Sequence, residues 1–199
     1  GFTDAWEQRK LGQIVKINGR IGFRGYTRAD IVAKDNGVLA LNPSNIQDNQ
    51  LILTGNDTYI TEAKYNESPE IQVQNGDVVF VKTGSTLGKS AQLIELTQKA
   101  TLNPQVVVLR SGKNDSGFVA ASLLTDRVQS QVAATRIGGA IPTMTESALS
   151  TIMIEVPQWD EQRKISRGFP NIENTIALHQ RNLEKLQGLK KGDLQKLFC

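Results

Sequence analysis

The sequence predicts an α+β protein (mixed α/β), in which a curved, barrel-like mixed sheet is followed by a long C-terminal coiled-coil helix. Up to about residue 157, short runs of β-branched residues alternate with Gly, Asn and Pro, as in strands joined by tight turns. From Trp159 onward, apolar residues recur at alternating intervals of four and three, as in a coiled coil. The 199 residues suit one large domain, or one domain with an appendage.

Four apolar runs in the first part are predicted strands. The clearest one enters from the turn Asn75-Gly76, and the last one is stopped by Pro157. Residues 118–134 carry apolar side chains at helical spacing and predict one helix. Residues 28–75 predict loops with short strands. The four predicted strands are 77–81, 92–96, 105–110 and 151–156.

The C-terminal helix is predicted to start at Asp160-Glu161, because acidic side chains suit the positive end of the helix dipole. A helix over 160–198 would be about 58 Å long, so it would project beyond its domain and need a partner for its apolar stripe. The alternative is an ordinary helix packed on its own domain. The stripe consists of Ile165, Phe169, Ile172, Ile176, His179, Leu183 and Leu186.

Two residues of this helix, Pro170 and His179, do not fit a regular apolar helix face. Pro170 removes a helical hydrogen bond, so we expect a kink or a true helix start near 169–171. His179 lies on the apolar stripe, where a polar residue more often sets the register of pairing than binds a ligand.

Composition excludes most kinds of catalytic site. With one Cys, Cys199, and one His, the chain has no internal disulfide, no Cys-based or His-cluster metal site, and no free His for a Ser-His-Asp triad. No apolar run approaches the roughly 18 residues of a membrane helix, and no basic and apolar leader is present. We therefore expect a cytoplasmic binding module, without catalytic residues or a metal.

The charge is unevenly distributed along the chain. The first fifteen residues are neutral, and the net charge of +3 divides into +4 over 16–34, −6 over 35–81, +4 over 82–136, −2 over 137–159 and +3 over 160–199. A polyanionic partner would need the two basic segments on one face. An ordinary solvated surface with uneven charge is the alternative, and charge by itself favours that alternative.

A glycine loop follows the clearest strand. Gly84 and Gly88 are separated by three residues, whereas a phosphate-binding P-loop needs four, followed by a helix. A strand is predicted after this loop, which argues against nucleotide hydrolysis. Its hydroxyl and ammonium groups suit DNA phosphates and base edges instead.

Both ends of the chain carry sequence motifs that are similar to those of one protein family. Residues 5–12 read AWEQRKLG, 154–165 read IEVPQWDEQRKI, and 176–198 read IALHQRNLEKLQGLKKGDLQKLF. Weaker pieces are NGDVVF at 75–80 and GAIPTM at 139–144. Across essentially its whole length the chain resembles the specificity (S) subunit of bacterial type I restriction–modification enzymes. The junction from Pro157 to Glu161-Gln162 before a long helix is its most specific piece.

This resemblance implies a two-part unit. Residues 1–157 would form a target recognition domain that reads one half of a split DNA site. Residues 158–199 would form a spacer helix for coiled-coil pairing and subunit docking. Full S subunits usually hold two such units, so the chain would be half-length or a fragment. The implied partners are double-stranded DNA, methyltransferase (M) subunits and the restriction (R) subunit. S-adenosylmethionine, ATP and Mg would belong to those partners, and this chain would hold no cofactor.

The basic segments supply the candidate contacts. Long basic side chains suit phosphates, and Arg is also the best reader of guanine. A single helix per chain further suggests an antiparallel homodimer, or pairing with a second S half, through Ile165, Phe169, Ile172, Ile176, Leu183 and Leu186. The candidate DNA-binding residues are Arg24, Tyr26, Arg28, Lys82, Ser85, Thr86, Lys89, Lys113 and Arg136.

Two alternatives stay open at this point. The chain could be a coiled-coil assembly protein whose basic segments carry no DNA specificity. It could also be the recognition half of a fused restriction–methyltransferase enzyme, whose catalytic domain would be encoded elsewhere in the same gene.

Overall fold

The structure, a computed structural model, describes residues 6–22, 25–137 and 141–197. Within the last helix, the side chains of residues 169–174, 176, 177 and 192–197 lie outside the described part. The α+β class predicted from the sequence is confirmed. The single curved sheet of the prediction corresponds, in the described residues, to two four-stranded sheets and two small two-stranded ones.

Residues 28–75 form loops with short strands, as predicted. The strand predicted at 92–96 instead runs from Ser90 to Gln92, because its hairpin partner begins only at Val78. The strands are β1 (Glu7–Lys10), β2 (Lys16–Asn18), β3 (Ile31–Val32), β4 (Val38–Leu41), β5 (Ile46–Gln47), β6 (Gln50–Leu51), β7 (Thr58–Ile60), β8 (Val78–Val81), β9 (Ser90–Gln92), β10 (Ala100–Leu102), β11 (Val106–Arg110) and β12 (Met153–Val156).

The single helix predicted over 118–134 is two helices in the structure. The first begins where the Asp115 carboxylate accepts the N–H of Phe118 at 3.0 Å. The break lies at Leu124 and Thr125, where the extended backbone of Thr125 begins the second helix. The helices are α1 (Leu11–Ile14), α2 (Glu62–Asn66), α3 (Ser116–Leu123), α4 (Asp126–Thr135), α5 (Glu146–Ser150) and α6 (Trp159–Leu197).

The central sheet, in the order β2-β11-β8-β9, is covered on both faces. Alternation at period two sends Val79 and Val108 to one face, where they join a core with the second four-stranded sheet. Phe80 and Val107 point to the opposite face, where they pack with residues of α3 and α4. This double burial explains why β8 and β11 are continuous apolar runs rather than alternating ones.

The second sheet has the order β10-β4-β7-β3 and contains one parallel pair, β4 with β10. The other pairs in both four-stranded sheets are antiparallel. Because β4 and β10 run in the same direction, both leave their sheet at the same edge. The loops that follow these strands therefore lie beside each other.

Beyond the two large sheets, β1 pairs with β12 and brings residue 7 opposite residue 156. The chain then enters α6 at Trp159, where the acidic pair of the first turn predicted a start. The alternative start near 169–171 is wrong, since the helix is continuous through Pro170. The kink at Pro170 and the division at 157/158 stay predictions.

The first turns of α6 are fixed to the domain by Gln162. Its amide oxygen accepts the N–H of Asp115 at 3.0 Å, and its amide nitrogen donates to the Pro157 carbonyl at 3.0 Å and to Asn114 at 3.3 Å. Ile165 packs against the core, and an added Cβ at Gly117 would meet the hydroxyl of Ser166. The helix therefore begins as part of the domain.

We predict that Gln162→Ala destabilises the protein by about 1–3 kcal/mol, because it leaves the part-buried N–H of Asp115 and the buried carbonyl of Pro157 without their partners. Urea denaturation measures the change. Gln158→Ala is the matched control, since this glutamine side chain is exposed one turn earlier. Equal losses in the two variants would contradict the anchoring role.

Candidate nucleic-acid interface

One end of the two large sheets gathers most of the candidate contacts. The strand registers place the ends of β2, β4, β8 and β10 beside the starts of β7, β9 and β11. Backbone hydrogen bonds join neighbouring loops there: Lys82 N–H donates to Gln105 at 2.8 Å, and Asn103 N–H donates to Leu41 at 2.9 Å. We call this surface the loop end; it comprises residues 19–22, 25–27, 42–45, 82–89, 103–105, 136, 137 and 141–146.

The glycine loop forms the turn of the β8–β9 hairpin. Its backbone closes with Gly88 N–H to Val81 at 3.0 Å, and Gly84 N–H donates to Pro142 at 2.9 Å. Gly84 and Gly88 both have positive φ angles, of 106° and 96°, which favour glycine. The side chain of Gln129 donates to the Gly88 carbonyl at 3.1 Å. The sequence analysis correctly excluded a P-loop here, because a strand follows the loop.

Exposed polar groups project from this braced hairpin. Ser85 and Lys89 are exposed, and Thr86 is half-buried. Arg136 is exposed on the neighbouring segment, where Ile137 and Thr143 exchange backbone hydrogen bonds at 2.8 and 2.9 Å. Among the described residues, neither Lys89 nor Arg136 forms an ion pair. These two cations are therefore available to an external anion.

Three other predicted contacts lie elsewhere. Arg24 lies outside the described residues. Arg28 precedes β3, whose start pairs with the far end of β7, so the residue is displaced from the loop end. Lys113 follows β11 at the opposite end of the central sheet, in a cleft with Lys16 and Trp159. The expectation that all the basic residues share one face fails for Lys113, because β11 carries the chain across the sheet.

A family model described as type I restriction modification DNA specificity domain matches residues 3–188. The chain belongs to this family.

Individual proteins show the same likeness. This chain is 24% identical over 202 residues to the type I restriction enzyme MjaVIII specificity subunit of Methanocaldococcus jannaschii, over 99% of this chain and 46% of that protein. A chain from a solved structure on complex assembly and conformational transition of the type I R-M system is 16% identical to this chain. It aligns with a TM-score of 0.68 over 99% of this chain and 44% of its own length. The HsdS subunit from Thermoanaerobacter tengcongensis is 15% identical, with a TM-score of 0.64 over 92% and 40%.

These comparisons establish the family and the fold. The chain spans less than half the length of each of these relatives.

Lys82 forms an internal ion pair at the loop end. Its ammonium lies 2.6 Å from a carboxylate oxygen of Glu146, and its side chain is 18% exposed. Burial raises the pKa of Glu146, but the hydrogen bond and charge of Lys82, with a bond from the backbone, outweigh burial and lower the pKa. Lys82 thus joins the hairpin to α5 and is not free to bind an anion.

Tyr26 lies in a polar network that the sequence analysis missed. Its hydroxyl donates to Asn42 at 3.0 Å and accepts from Asn103 at 2.8 Å, and the two asparagines are joined at 2.9 Å. Each asparagine follows a strand of the parallel pair and precedes a proline, at Asn42-Pro43 and Asn103-Pro104. That repeated Asn-Pro signal was available in the sequence. The network positions the loop that carries Tyr26.

Arg20, counted in the first basic segment, also has an internal partner. Its guanidinium donates to the Leu102 carbonyl at 3.0 Å. Burial is the main cause that lowers its pKa, against the nearby Tyr26 and the carboxylates of Glu70 and Glu67. Arg20 therefore ties the loop after β2 to the end of β10.

The predicted pairing residues on α6 separate into three groups. Ile165 is partly buried against the core of its own domain. The side chains of Phe169, Ile172 and Ile176 lie outside the described part. Leu183 and Leu186 are 56% and 63% exposed, and Leu178 and Leu189 are similarly exposed. At 100° per residue these four leucines lie within an arc of about 140°, as on an amphipathic helix.

The described residues contain no group of His, Cys, Asp and Glu that could hold a metal ion. They also contain no helix long and apolar enough to span a membrane.

We predict that Lys82→Met lowers the free energy of unfolding by no more than about 1 kcal/mol at neutral pH, because the pair is partly exposed. The lowered pKa of Glu146 means that the pair stabilises the fold above the ordinary carboxyl pKa. This contribution is lost as the pH falls through the pKa in the folded state. Urea denaturation at neutral pH and near pH ~3 should show the difference between wild type and variant narrowing at the lower pH.

Lys99→Met is the control for loss of a fully solvated ion pair: the pair of Lys99 with Glu62 lies in solvent, so this variant should change stability at neutral pH by less than Lys82→Met does. A difference of the same size at both pH values for Lys82→Met would contradict the assigned ion pair.

Proposed function

We propose that the chain is the non-catalytic, sequence-specific DNA recognition subunit of a type I restriction–modification system, and that its loop end reads one half of a split site. The observation that carries this proposal is the convergence of exposed Lys89, Arg136 and Ser85 on loops braced by backbone hydrogen bonds. Cations held on ordered loops can bind phosphates, while neighbouring polar groups reach base edges. The family match supports the same role.

The carboxylates near the loop end do not oppose DNA strongly. Glu146 is paired with Lys82 at 2.6 Å. Asp57 accepts hydrogen bonds from Asn45 at 2.6 Å and from the backbone of Gly55 at 3.1 Å. Burial raises the pKa of Asp57, but hydrogen bonds from Thr54, Asn45 and Gly55 outweigh burial and lower it. Both acids have internal partners, so the available positive charges dominate the local field.

The catalytic steps would belong to partner subunits. In this proposal the M subunits hold S-adenosylmethionine for DNA methylation, and the R subunit uses ATP and Mg. The chain itself holds no cofactor and positions these partners on DNA in the cytoplasm. One structural relative comes from a solved structure on complex assembly of the type I R-M system, which supports a role within an assembly.

A partner for α6 follows from the exposed leucines. Leaving Leu183 and Leu186 in water is unfavourable, since each buried leucine contributes about 1.5–3 kcal/mol. We propose that α6 pairs antiparallel with α6 of a second copy, or with a second S half. A symmetric pair would present two identical loop ends and would read an interrupted palindrome.

We predict that Lys89→Ala weakens DNA binding by the assembled complex to all sequences and lowers the salt slope by about one unit, because one phosphate contact is lost. Fluorescence anisotropy over a salt series measures both quantities. Lys113→Ala, an exposed lysine at the opposite end, is the matched control and should change neither. Unchanged affinity and slope for Lys89→Ala would remove the hairpin from the interface.

Methylome mapping with and without the chain would identify the target. If the complex with M subunits binds all DNA equally weakly, the assembly-protein alternative is favoured.

We predict that replacing Leu183 and Leu186 together by Glu converts a dimer of the full chain into a monomer, because each interface then buries unpaired charges. Light scattering coupled to gel filtration gives the mass. Glu184→Ala, on the opposite face of the helix, should leave the dimer intact. A wild-type chain that stays monomeric at high micromolar concentration would contradict self-pairing and leave pairing with a different S half.

A further inference from the structure

Two isoleucines at the loop end are unusually open to solvent. Ile137 and Ile141 are each 65% exposed, the highest values among the large apolar side chains of the described residues. Single exposed apolar residues are common on protein surfaces. Here two lie four positions apart on one segment, beside the exposed Arg136, at the surface proposed to face DNA.

The backbone on either side of this pair is firmly held. Ile137 and Thr143 exchange two hydrogen bonds, and Thr143 forms a further β-bridge with Thr83. Pro142, next to Ile141, accepts the N–H of Gly84 at 2.9 Å, and Met144 N–H donates to Lys82 at 2.8 Å. Both isoleucines are thus attached to the base of the glycine hairpin. Their position relative to Ser85 and Lys89 is set by the fold.

The surroundings of the pair favour DNA as the group that covers it. An isoleucine side chain has no hydrogen-bond donor or acceptor, so it cannot read guanine, cytosine or adenine by polar contacts. The thymine 5-methyl is the apolar group that a base pair presents in the major groove. An apolar pair next to cations fits a base edge with a methyl group, flanked by phosphates.

We infer that Ile137 and Ile141 form an apolar contact for thymine methyl groups in the major groove and thereby specify A·T pairs in the half-site. The inference rests on the proposed DNA-reading function and deepens it by naming the chemical group that is read. Lys89 and Arg136 supply affinity for any sequence, whereas the isoleucines discriminate between sequences.

The test uses the full chain assembled with its M subunits and a duplex carrying the target found by methylome mapping. Each thymine of the half-site is replaced in turn by deoxyuridine, which removes only the methyl group. Wild type should lose about fourfold in affinity at one or two positions, the loss expected for one buried methyl. Ile137→Ala or Ile141→Ala should weaken binding to the thymine duplex and should no longer respond to deoxyuridine at that position.

Ile94→Ala is the matched control, because Ile94 is 59% exposed but follows β9 at the other end of the sheet. It should bind like wild type and keep the response to deoxyuridine. Thermal melting of each variant checks that all three are folded.

The outcomes separate the inference from the proposed function. If wild type does not prefer its mapped target over unrelated DNA, the proposed function itself fails. If it prefers the target but no deoxyuridine changes its affinity, or if the half-site contains no A·T pair, only the inference is overturned. A deoxyuridine effect that persists undiminished in both isoleucine variants overturns it as well.

Discussion

The double burial of the β8–β11 pair is the constraint on which the rest of the structure depends. One face of these strands packs on the second sheet and the other on the helices, so neither face can meet a ligand. Function is therefore confined to the ends of the strands. The strand registers bring seven strand ends together at one end of the sheets. The backbone hydrogen bonds donated by Lys82 and Asn103 hold the resulting loops together. A buried core thus produces an ordered surface at its end.

The opposite end of the domain holds the start of the long helix α6. Gln162 and Ile165 attach α6 to the start of α3, so the direction in which the helix leaves is determined by the domain core. This gives a physical reason for the motif at 154–165, where Pro157 and Gln162 are hydrogen-bonded to each other at 3.0 Å. The motif fixes the direction in which the helix leaves the domain, while the loop end lies at the other end of the central sheet. A substitution in the loop end therefore does not touch the contacts that hold the helix.

The parts that the sequence predicted correctly are those whose signal is local. The strands at 78–81 and 106–110 are continuous apolar runs, and the acids at 160 and 161 mark a real helix start. The wrong predictions concern features that depend on contacts between residues far apart in the chain. Strand β9 ends at Gln92 because its partner β8 begins at Val78. The break before Thr125 lies within a regular apolar spacing that shows no interruption in the sequence. Lys89 and Lys113 belong to one basic segment, yet β11 separates them to opposite ends. The Tyr26 network joins residues 16 and 77 positions away.

The mounting of α6 also limits how two such domains could be spaced. Because Ile165 packs against the domain core and Ser166 lies against Gly117, the part of the helix considered for pairing starts after these residues. Residues 169–197 extend at most about 43 Å. In an antiparallel pair this length would separate the two domains by somewhat more than one turn of B-DNA, which is about 34–36 Å. Only a separation of one full turn would present the same side of a duplex to both domains, so that each could enter the major groove without the DNA winding around the protein. A kink at Pro170 would shorten the separation and bring it nearer to one turn.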